Sequence, residues 1–129
     1  PEGFHLPTDA EWMMLERHLG MDAGELEGLE NWRGHAGELL KTGEQGIGFD
    51  ALYGGAAVYA LSTAYNSRYV YKNEGAYFWS SDQIVISDSL SNGIVRNISL
   101  YHSGIRRMTS RLISTTENVR PSYSVRLVK

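Results

Sequence analysis

Hydrophobic side chains near the start of the chain recur at helical spacing. The apolar positions lie three and four residues apart on one helix face: Trp12, Leu15 and Leu19. Thr8 and Glu11 stand at the spacing of a capping box, in which each side chain bonds the backbone N–H of the other residue. Gly20 follows the last apolar position and provides a left-handed stop. The pattern predicts an amphipathic helix over residues 8–19.

The next stretch predicts less regular structure. Residues 22–30 carry a narrow apolar stripe behind Asp22, a residue type that caps helices, and they predict a short second helix. Residues 33–48 contain five glycines and predict a loop-rich connection. Residues 49–53 predict a brief strand that ends at a Gly-Gly turn.

The second half of the chain changes to the period of a β-strand. Four segments alternate polar and apolar positions or are rich in β-branched and aromatic residues, and Ser, Asn and Gly separate them. The predicted strands are residues 76–80, 95–101, 105–113 and 123–128. Helices followed by strands indicate an α+β fold, in which two N-terminal helices pack on a mostly antiparallel sheet.

Composition narrows the class of protein. The length of 129 residues predicts a single domain, residues 1–129, and the absence of cysteine excludes disulfides, thiolate zinc sites and thiol nucleophiles. No apolar run approaches the roughly 20 residues that span a bilayer. Because Pro1 begins an already patterned segment, we expect the chain to be trimmed at its N-terminus.

The net charge of −3 conceals two halves of opposite sign. Residues 1–64 hold eleven acidic and three basic side chains, whereas residues 65–129 hold four acidic and nine basic ones. A basic half can be a nucleic-acid footprint, but these arginines are spread along strand-like segments rather than clustered. Two interpretations remain: the halves pack together, or the second half is an arginine-rich binding face.

The histidines, serines and acidic residues match no known pattern of a catalytic or metal-binding site. The four histidines share no metal-ligand spacing, and the motif Gly-x-Ser-x-Gly is absent. The acidic residues are predicted on outer helix faces rather than across a cleft. Calcium needs about six to eight oxygen ligands, and the basic half offers four carboxylates. The sequence therefore predicts no enzyme activity, no metal and no cofactor.

The aromatic run in the motif GAYFWSS admits two interpretations. Strand alternation places Tyr77 and Trp79 on one face and Phe78 on the other. The first two rings are then either an exposed platform for stacking sugars or part of a strand that is buried on both faces. Burial in the core is the favoured interpretation, and we expect the same of Trp12 and Trp32.

A series of short motifs, in order along nearly the whole chain, resembles one family. The motifs are Gly3-Phe4-His5-Leu6-Pro7-Thr8-Asp9-Ala10-Glu11-Trp12, Leu19-Gly20-Met21, Trp32-Arg33-Gly34, Leu40-Lys41, Gly48-Phe49-Asp50-Ala51-Leu52, GAYFWSS and Ser124-Val125-Arg126-Leu127-Val128. Together they resemble the Fibrobacter succinogenes major paralogous domain, which is widespread in surface proteins of Bacteroidetes and Fibrobacteres.

The resemblance implies a C-type lectin-like fold, related to that of the formylglycine-generating enzymes. It implies two helices against a twisted sheet, with the GAYFWSS strand at the centre and a last strand that closes the domain near its N-terminus. Formylglycine-generating enzymes use cysteines, and calcium-dependent lectins carry a Glu-Pro-Asn or Gln-Pro-Asp loop and a Trp-Asn-Asp strand. The chain has none of these, so neither activity is carried over.

Residues 82–122 have the composition of a recognition surface. Ser, Asn, Arg, Tyr, Thr and Ile dominate, and such residues suit rigid scaffolds that recognise ligands. The resemblance extends to lectin-like variable proteins of diversity-generating retroelements, and the segment fits the products of adenine-directed mutagenesis except at Gln83, Met108 and Glu117. The predicted ligand contacts are Asp88, Asn92, Tyr101, His102, Arg107, Thr109, Arg111, Ser114 and Asn118. An ordinary solvent-facing sheet surface is the alternative.

These observations predict a non-enzymatic ligand-binding and display domain of a bacterial surface protein or a phage receptor-binding protein. We expect it at the cell surface, outside the cell or on a phage virion. Its expected partner is a protein or glycan on another cell, with no nucleic acid bound and no membrane insertion of this segment. The alternative is a structural module of a larger envelope or adhesin protein, without a ligand of its own.

Overall fold

The computed structural model describes residues 1–60, 68–88, 90–110 and 119–129, which fold into two helices and seven strands. The helices are α1, Asp9–His18, and α2, Ala36–Leu40. The strands are β1, Trp32–Arg33; β2, Ala56–Ala60; β3, Arg68–Val70; β4, Gly75–Ser87; β5, Leu90–Ser99; β6, Ile105–Thr109; and β7, Val119–Ser122. The predicted α+β class with antiparallel strands is confirmed.

The first helix forms as its sequence signals predict. The Thr8 side chain accepts a hydrogen bond from the Glu11 N–H, and the Glu11 carboxylate accepts one from the Thr8 N–H, which completes the capping box. Gly20 follows with a φ of 92°, in the left-handed region where glycine is favoured. Neither helix of the described residues is long and apolar enough to cross a membrane.

The second helix does not lie at the predicted position. Residues 23–27 form turns instead: the Asp22 carboxylate accepts from the Gly24 N–H, and the Glu25 and Leu26 carbonyls accept from the Arg33 guanidinium. The helix α2 lies inside the glycine-rich stretch that predicted a loop. Gly37 is required there by packing, since a methyl group at this position would lie 2.0 Å from the carbonyl oxygen of Gly104.

The strands divide into two antiparallel sheets. The larger sheet has the order β1-β6-β5-β4 and the smaller one has the order β3-β2-β7. The GAYFWSS motif begins β4, which lies at the edge of the larger sheet, so the expectation that this strand is central is wrong. On its other side β4 makes two isolated parallel bridges to described residues, from Ala76 to Gly55 and from Phe78 to Ser124.

Two predicted strands are absent from the described residues. Residues 49–53 are irregular, because Asp50 adopts a left-handed φ of 51° that no strand tolerates. Residues 123–128 form two single bridges, at Ser124 and at Val128, and the second of these pairs with His5. The end of the chain therefore does lie against its beginning, but without a regular strand.

The main core lies between α1, α2 and one face of the larger sheet. Trp12, Phe49 and Phe78 form an aromatic trio with ring centroids 5.7 to 6.0 Å apart. Leu40 and Ile98 are fully buried beside it. The expectation for Trp12 is thus confirmed, whereas Trp32 is only half-buried.

Five charged side chains meet between α1 and the larger sheet: Asp9, Glu16, Arg33 and Arg96 are buried, and Arg107 is partly buried. The expectation that the acidic residues face outward is wrong for the two carboxylates, which are 7% and 0% exposed. Ion pairs join each of them to arginines of the sheet. The opposite charges of the two halves of the chain therefore serve to pack the first helix onto the sheet.

Candidate ligand-binding face

The face of the larger sheet that points away from α1 carries a row of side chains across all four strands. Tyr77 of β4 lies opposite Asn97 of β5, which lies opposite Arg106 of β6, which lies opposite Trp32 of β1. Directly opposed residues share a face of a sheet, so all four point to the same side. We call this side the outer face.

Four aromatic rings lie together on the outer face, and we call them the aromatic row: Tyr71, Tyr77, Tyr123 and Trp79. Successive ring centroids lie 6.0, 5.6 and 4.9 Å apart. The planes of the first three rings make successive angles of 36° and 21°, and Trp79 meets Tyr123 edge-on at 62°. Tyr77, Trp79 and Tyr123 are partly buried, and the residues opposite Trp79 and Tyr77 on β5, Val95 and Asn97, are 0% and 3% exposed. The expectation that Tyr77 and Trp79 belong to the core therefore stays a prediction.

Two glycines let the rings of β4 lie along the sheet instead of standing up from it. A methyl group at Gly93, on the neighbouring strand, would lie 2.5 Å from Cζ3 of Trp79. A methyl group at Gly75 would lie 3.0 Å from Cε2 of Tyr77. The rings of Trp79 and Tyr77 therefore cover backbone that has no side chains of its own.

Tyr71 stands at the exposed end of the aromatic row in a strained conformation. Its φ is 57°, in the left-handed region that bulky residues rarely enter, and its side chain is 58% exposed. Gly55 packs against this turn so closely that a methyl group there would lie 2.3 Å from the carbonyl oxygen of Val70. Strain of this kind, held by surrounding structure, is typical of functional sites.

Glu30 fixes the guanidinium of Arg106 at the other side of the outer face. Glu30 itself has a φ of 64°, and its N–H donates to the Arg107 carbonyl. Its Oε2 accepts from Nη2 of Arg106 at 3.1 Å, while its Oε1 accepts from the backbone N–H and the hydroxyl of Thr109. The arginine and glutamate side chains are about one-third exposed, at 34% and 35%, and together they carry no net charge.

The hydroxyl groups of two rings resist ionisation. Burial raises the pKa of Tyr77 to about 12, with help from the neighbouring phenols of Tyr71 and Tyr123. Burial likewise raises the pKa of Tyr123, and the charge of Glu30 adds to the effect. These hydroxyls therefore remain neutral hydrogen-bond donors at physiological pH.

A second aromatic pair marks the edge of the outer face at β1. The ring of His102 stacks on Trp32, with centroids 4.3 Å apart and an angle of 12°. Lys41 supports the same turn by donating from Nζ to the His102 carbonyl at 2.8 Å. Tyr101, which precedes His102 in this turn, is 71% exposed.

The structure separates the predicted ligand contacts. Asp88 lies at the turn of the β4–β5 hairpin, whereas Tyr101 and His102 lie in the turn between β5 and β6. The strand β5 has ten residues, and at about 3.3 Å per residue the two turns are about 30 Å apart. These residues therefore do not form one continuous site.

Three of the predicted contacts are engaged inside the fold. Asn92 and Thr109 are 9% and 6% exposed, and Thr109 bonds Glu30. Arg107 points toward α1, where its Nη2 lies 2.6 Å from Oδ2 of Asp9. Thr109 and Arg107 would have to leave these partners to contact a ligand, and Asn92 would have to leave a buried position. The contact role of all three stays a prediction. The predicted contacts Arg111, Ser114 and Asn118 lie outside the described residues.

Other concave or polar surfaces of the described residues offer weaker sites. No group of three histidine, aspartate or glutamate side chains there is arranged to hold a metal ion. An open groove of about 830 Å³ lies on the far side of α1, between Met13, Met14 and Leu26. It is lined mainly by apolar side chains, with Arg17, His18 and Glu27 at its rim.

Fold and site together define an α+β domain that holds an aromatic and arginine-containing face on a rigid antiparallel sheet. The chain belongs to the Fibrobacter succinogenes major domain family, whose model matches residues 1–129. No curated protein and no solved structure matches the chain. The family resemblance is thus confirmed, and the relation to the C-type lectin-like fold stays a prediction.

Proposed function

We propose that the chain is a non-enzymatic ligand-binding domain that presents the outer face to a partner on another cell surface. The proposal places the domain in a bacterial surface protein or a phage receptor-binding protein. Its partner is a protein or a glycan, bound without a metal. Aromatic rings and the forked guanidinium of an arginine would supply the contacts.

The observation that carries the proposal is the strained, exposed Tyr71 at the end of the aromatic row. A left-handed tyrosine costs of order 1–3 kcal/mol that a glycine or asparagine at the same position would largely avoid. The turn nevertheless holds the ring in solvent beside Tyr77. A ring kept at such a cost is better explained by a contact with a ligand than by the stability of the domain.

The test is a binding screen with paired variants. The domain is displayed on beads against arrays of glycans and of cell-surface proteins. Tyr71→Asn removes the ring and keeps a residue type that tolerates the left-handed region, while Met14→Asn removes another exposed apolar side chain, from α1. We expect a saturable ligand whose binding is lost in Tyr71→Asn and retained in Met14→Asn.

The competing function, a structural module without a ligand, predicts a different result. Wild type would then show no saturable binding in the screen, or binding that both variants weaken equally. Either result would contradict the proposed role of the outer face.

We also propose that the exposed loops are diversified by a retroelement, as the composition of residues 82–122 indicates. The fold restricts the proposal to exposed positions such as Asp88, Tyr101 and His102. Sequencing the gene in many cells of one population tests it. Adenine-directed substitutions at exposed codons, with Thr109 and Arg107 constant, would support it, and an invariant gene would contradict it.

A further inference from the structure

We infer that the outer face takes an uncharged oligosaccharide, which stacks on the aromatic row and hydrogen-bonds to Arg106 and Glu30. This inference rests on the proposed function, because it names the class of ligand for the same face.

The aromatic row suits a sugar ring by its shape. Protein partners are usually anchored by side chains that project into pockets. Here Trp79 and Tyr77 lie over Gly93 and Gly75, and Tyr123 stacks on Tyr77 at 21°. The ring of Tyr71 lies exposed beside Tyr77. These rings offer an apolar aromatic surface, which suits the C–H face of a sugar ring.

The charges of the outer face balance each other and favour an uncharged ligand. Arg106 is held by Glu30, so the guanidinium is already neutralised by a carboxylate. The positive charge of Arg106 and the negative charge of Glu74 nevertheless both act on Tyr77. Arg106 would repel a cationic ligand, and Glu30 and Glu74 would repel an anionic one. An uncharged ligand avoids both penalties.

Hydrogen-bond donors and acceptors lie beside the rings and suit a ligand with several hydroxyl groups. Arg106 offers a planar fork of donors, and Glu30 beside it is an acceptor. The hydroxyl groups of Tyr77 and Tyr123 stay protonated because burial raises their pKa values. Two strand spacings separate Tyr77 from Arg106, which is about 10 Å. A ligand with several hydroxyl groups spans this distance better than a single sugar ring does.

The experiment is a calorimetric titration of the whole chain with defined oligosaccharides. The neutral probes are hexaoses of glucose, xylose, mannose and galactose. An oligogalacturonate serves as the anionic probe and a glucosamine oligomer as the cationic probe. Each probe is titrated into wild type, Tyr71→Asn, Tyr71→Phe and Met14→Asn, after circular dichroism has shown that the variants are folded.

We expect at least one neutral hexaose to bind wild type, and neither charged probe to bind as tightly. Tyr71→Asn should weaken binding about tenfold, the change that the loss of one aromatic contact gives. Tyr71→Phe keeps the ring and should stay within about threefold of wild type, as should Met14→Asn.

Two results would overturn the inference, and they differ in what they say of the proposed function. Failure of all neutral probes, with a protein ligand that Tyr71→Asn loses in the screen, would refute the oligosaccharide and keep the binding face. Neutral probes that bind Tyr71→Asn as tightly as wild type would show that the oligosaccharide binds elsewhere, and would refute the outer face as its binding site.

Discussion

Arg96 in the middle of β5 places its Nη1 atom 2.7 Å from Oδ1 of Asp9 in the first turn of α1. Its Nε also donates to Oε1 of Glu16, about two turns further along the same face of the helix. Arg96 is 0% exposed, so a single guanidinium joins the first helix to the sheet from inside the protein. This contact fixes which face of the sheet is core and therefore which face is left for binding.

Replacing Arg96 tests this connection. Arg96→Met leaves Glu16 and Asp9 buried with fewer cationic partners, and we expect the free energy of unfolding to fall by about 3 kcal/mol. Lys72→Met is the matched control, because Lys72 is exposed and its loss should cost less than about 0.5 kcal/mol. Urea unfolding measures both values, and equal losses in the two variants would contradict the account.

Asp9 should make the stability depend on pH. Burial alone raises its pKa, but hydrogen bonds from Arg107 and the charge of Arg96 outweigh burial and hold the pKa below its usual 3.8. The folded-state pKa is thus lower than the unfolded one, so the ionised carboxylate stabilises the fold above about pH 4, and this contribution is lost as the pH falls further.

The comparison of wild type with Asp9→Asn isolates this carboxylate. Urea unfolding at intervals from neutral pH to about pH 2.5 should show wild type as the more stable protein at neutral pH. The difference should shrink steadily below about pH 4. A difference that stays constant over the whole range would show that Asp9 does not carry this dependence.

Gly93 is predicted to be essential for the packing of Trp79 on the outer face. The added methyl group of Gly93→Ala would displace the indole of Trp79, and overpacking of this kind costs about 1–3 kcal/mol. Gly24→Ala is the control, since the nearest atom to its methyl group would be 3.4 Å away. Thermal unfolding should show a lower melting temperature only for Gly93→Ala. A shift of similar size in the control would contradict the packing argument.

The buried and the exposed predicted contacts should differ in their effect on stability. Thr109→Val keeps the shape of the side chain but removes its hydrogen bond to Glu30, at a cost of about 1–2 kcal/mol. Tyr101→Ser changes an exposed ring and should lie within about 0.5 kcal/mol of wild type. Chemical unfolding distinguishes the two, and an unchanged Thr109→Val would restore that residue as a candidate contact.

The first helix could be predicted from sequence because its signals are local. The capping box of Thr8 and Glu11 and the stop at Gly20 act within a few residues, and all three appear in the structure as expected. The position of α2 could not be predicted in this way. Gly37 reads as a loop residue, but it is required by contact with Gly104 from a distant turn.

The candidate site shows the same limit. Arginines in the second half of the chain could be recognised as unusual, but their partners could not be assigned. Arg96 and Arg107 turn inward to Asp9, whereas Arg106, the neighbour of Arg107, turns outward to Glu30. Alternation within β6 separates adjacent arginines, and only the register of the sheet shows which of them is available to a ligand.

The aromatic row was partly visible in the sequence. The alternation of Tyr77 and Trp79 could be read from the GAYFWSS motif, and the choice between core and platform depended on which face the helices cover. Tyr71 and Tyr123 join the row from a turn and from the last segment of the chain. Contacts between such distant positions leave no periodic signal in the sequence.

The most direct test of the binding face is a spectrum of the tyrosine rings. The chain contains eight tyrosines, and ring-labelled protein gives a carbon–proton signal for each, assigned with single Tyr→Phe variants. The ligand found in the binding screen is added in steps. We predict that the largest shifts occur at Tyr71, Tyr77 and Tyr123. Largest shifts at other tyrosines, with these three unchanged, would contradict the account.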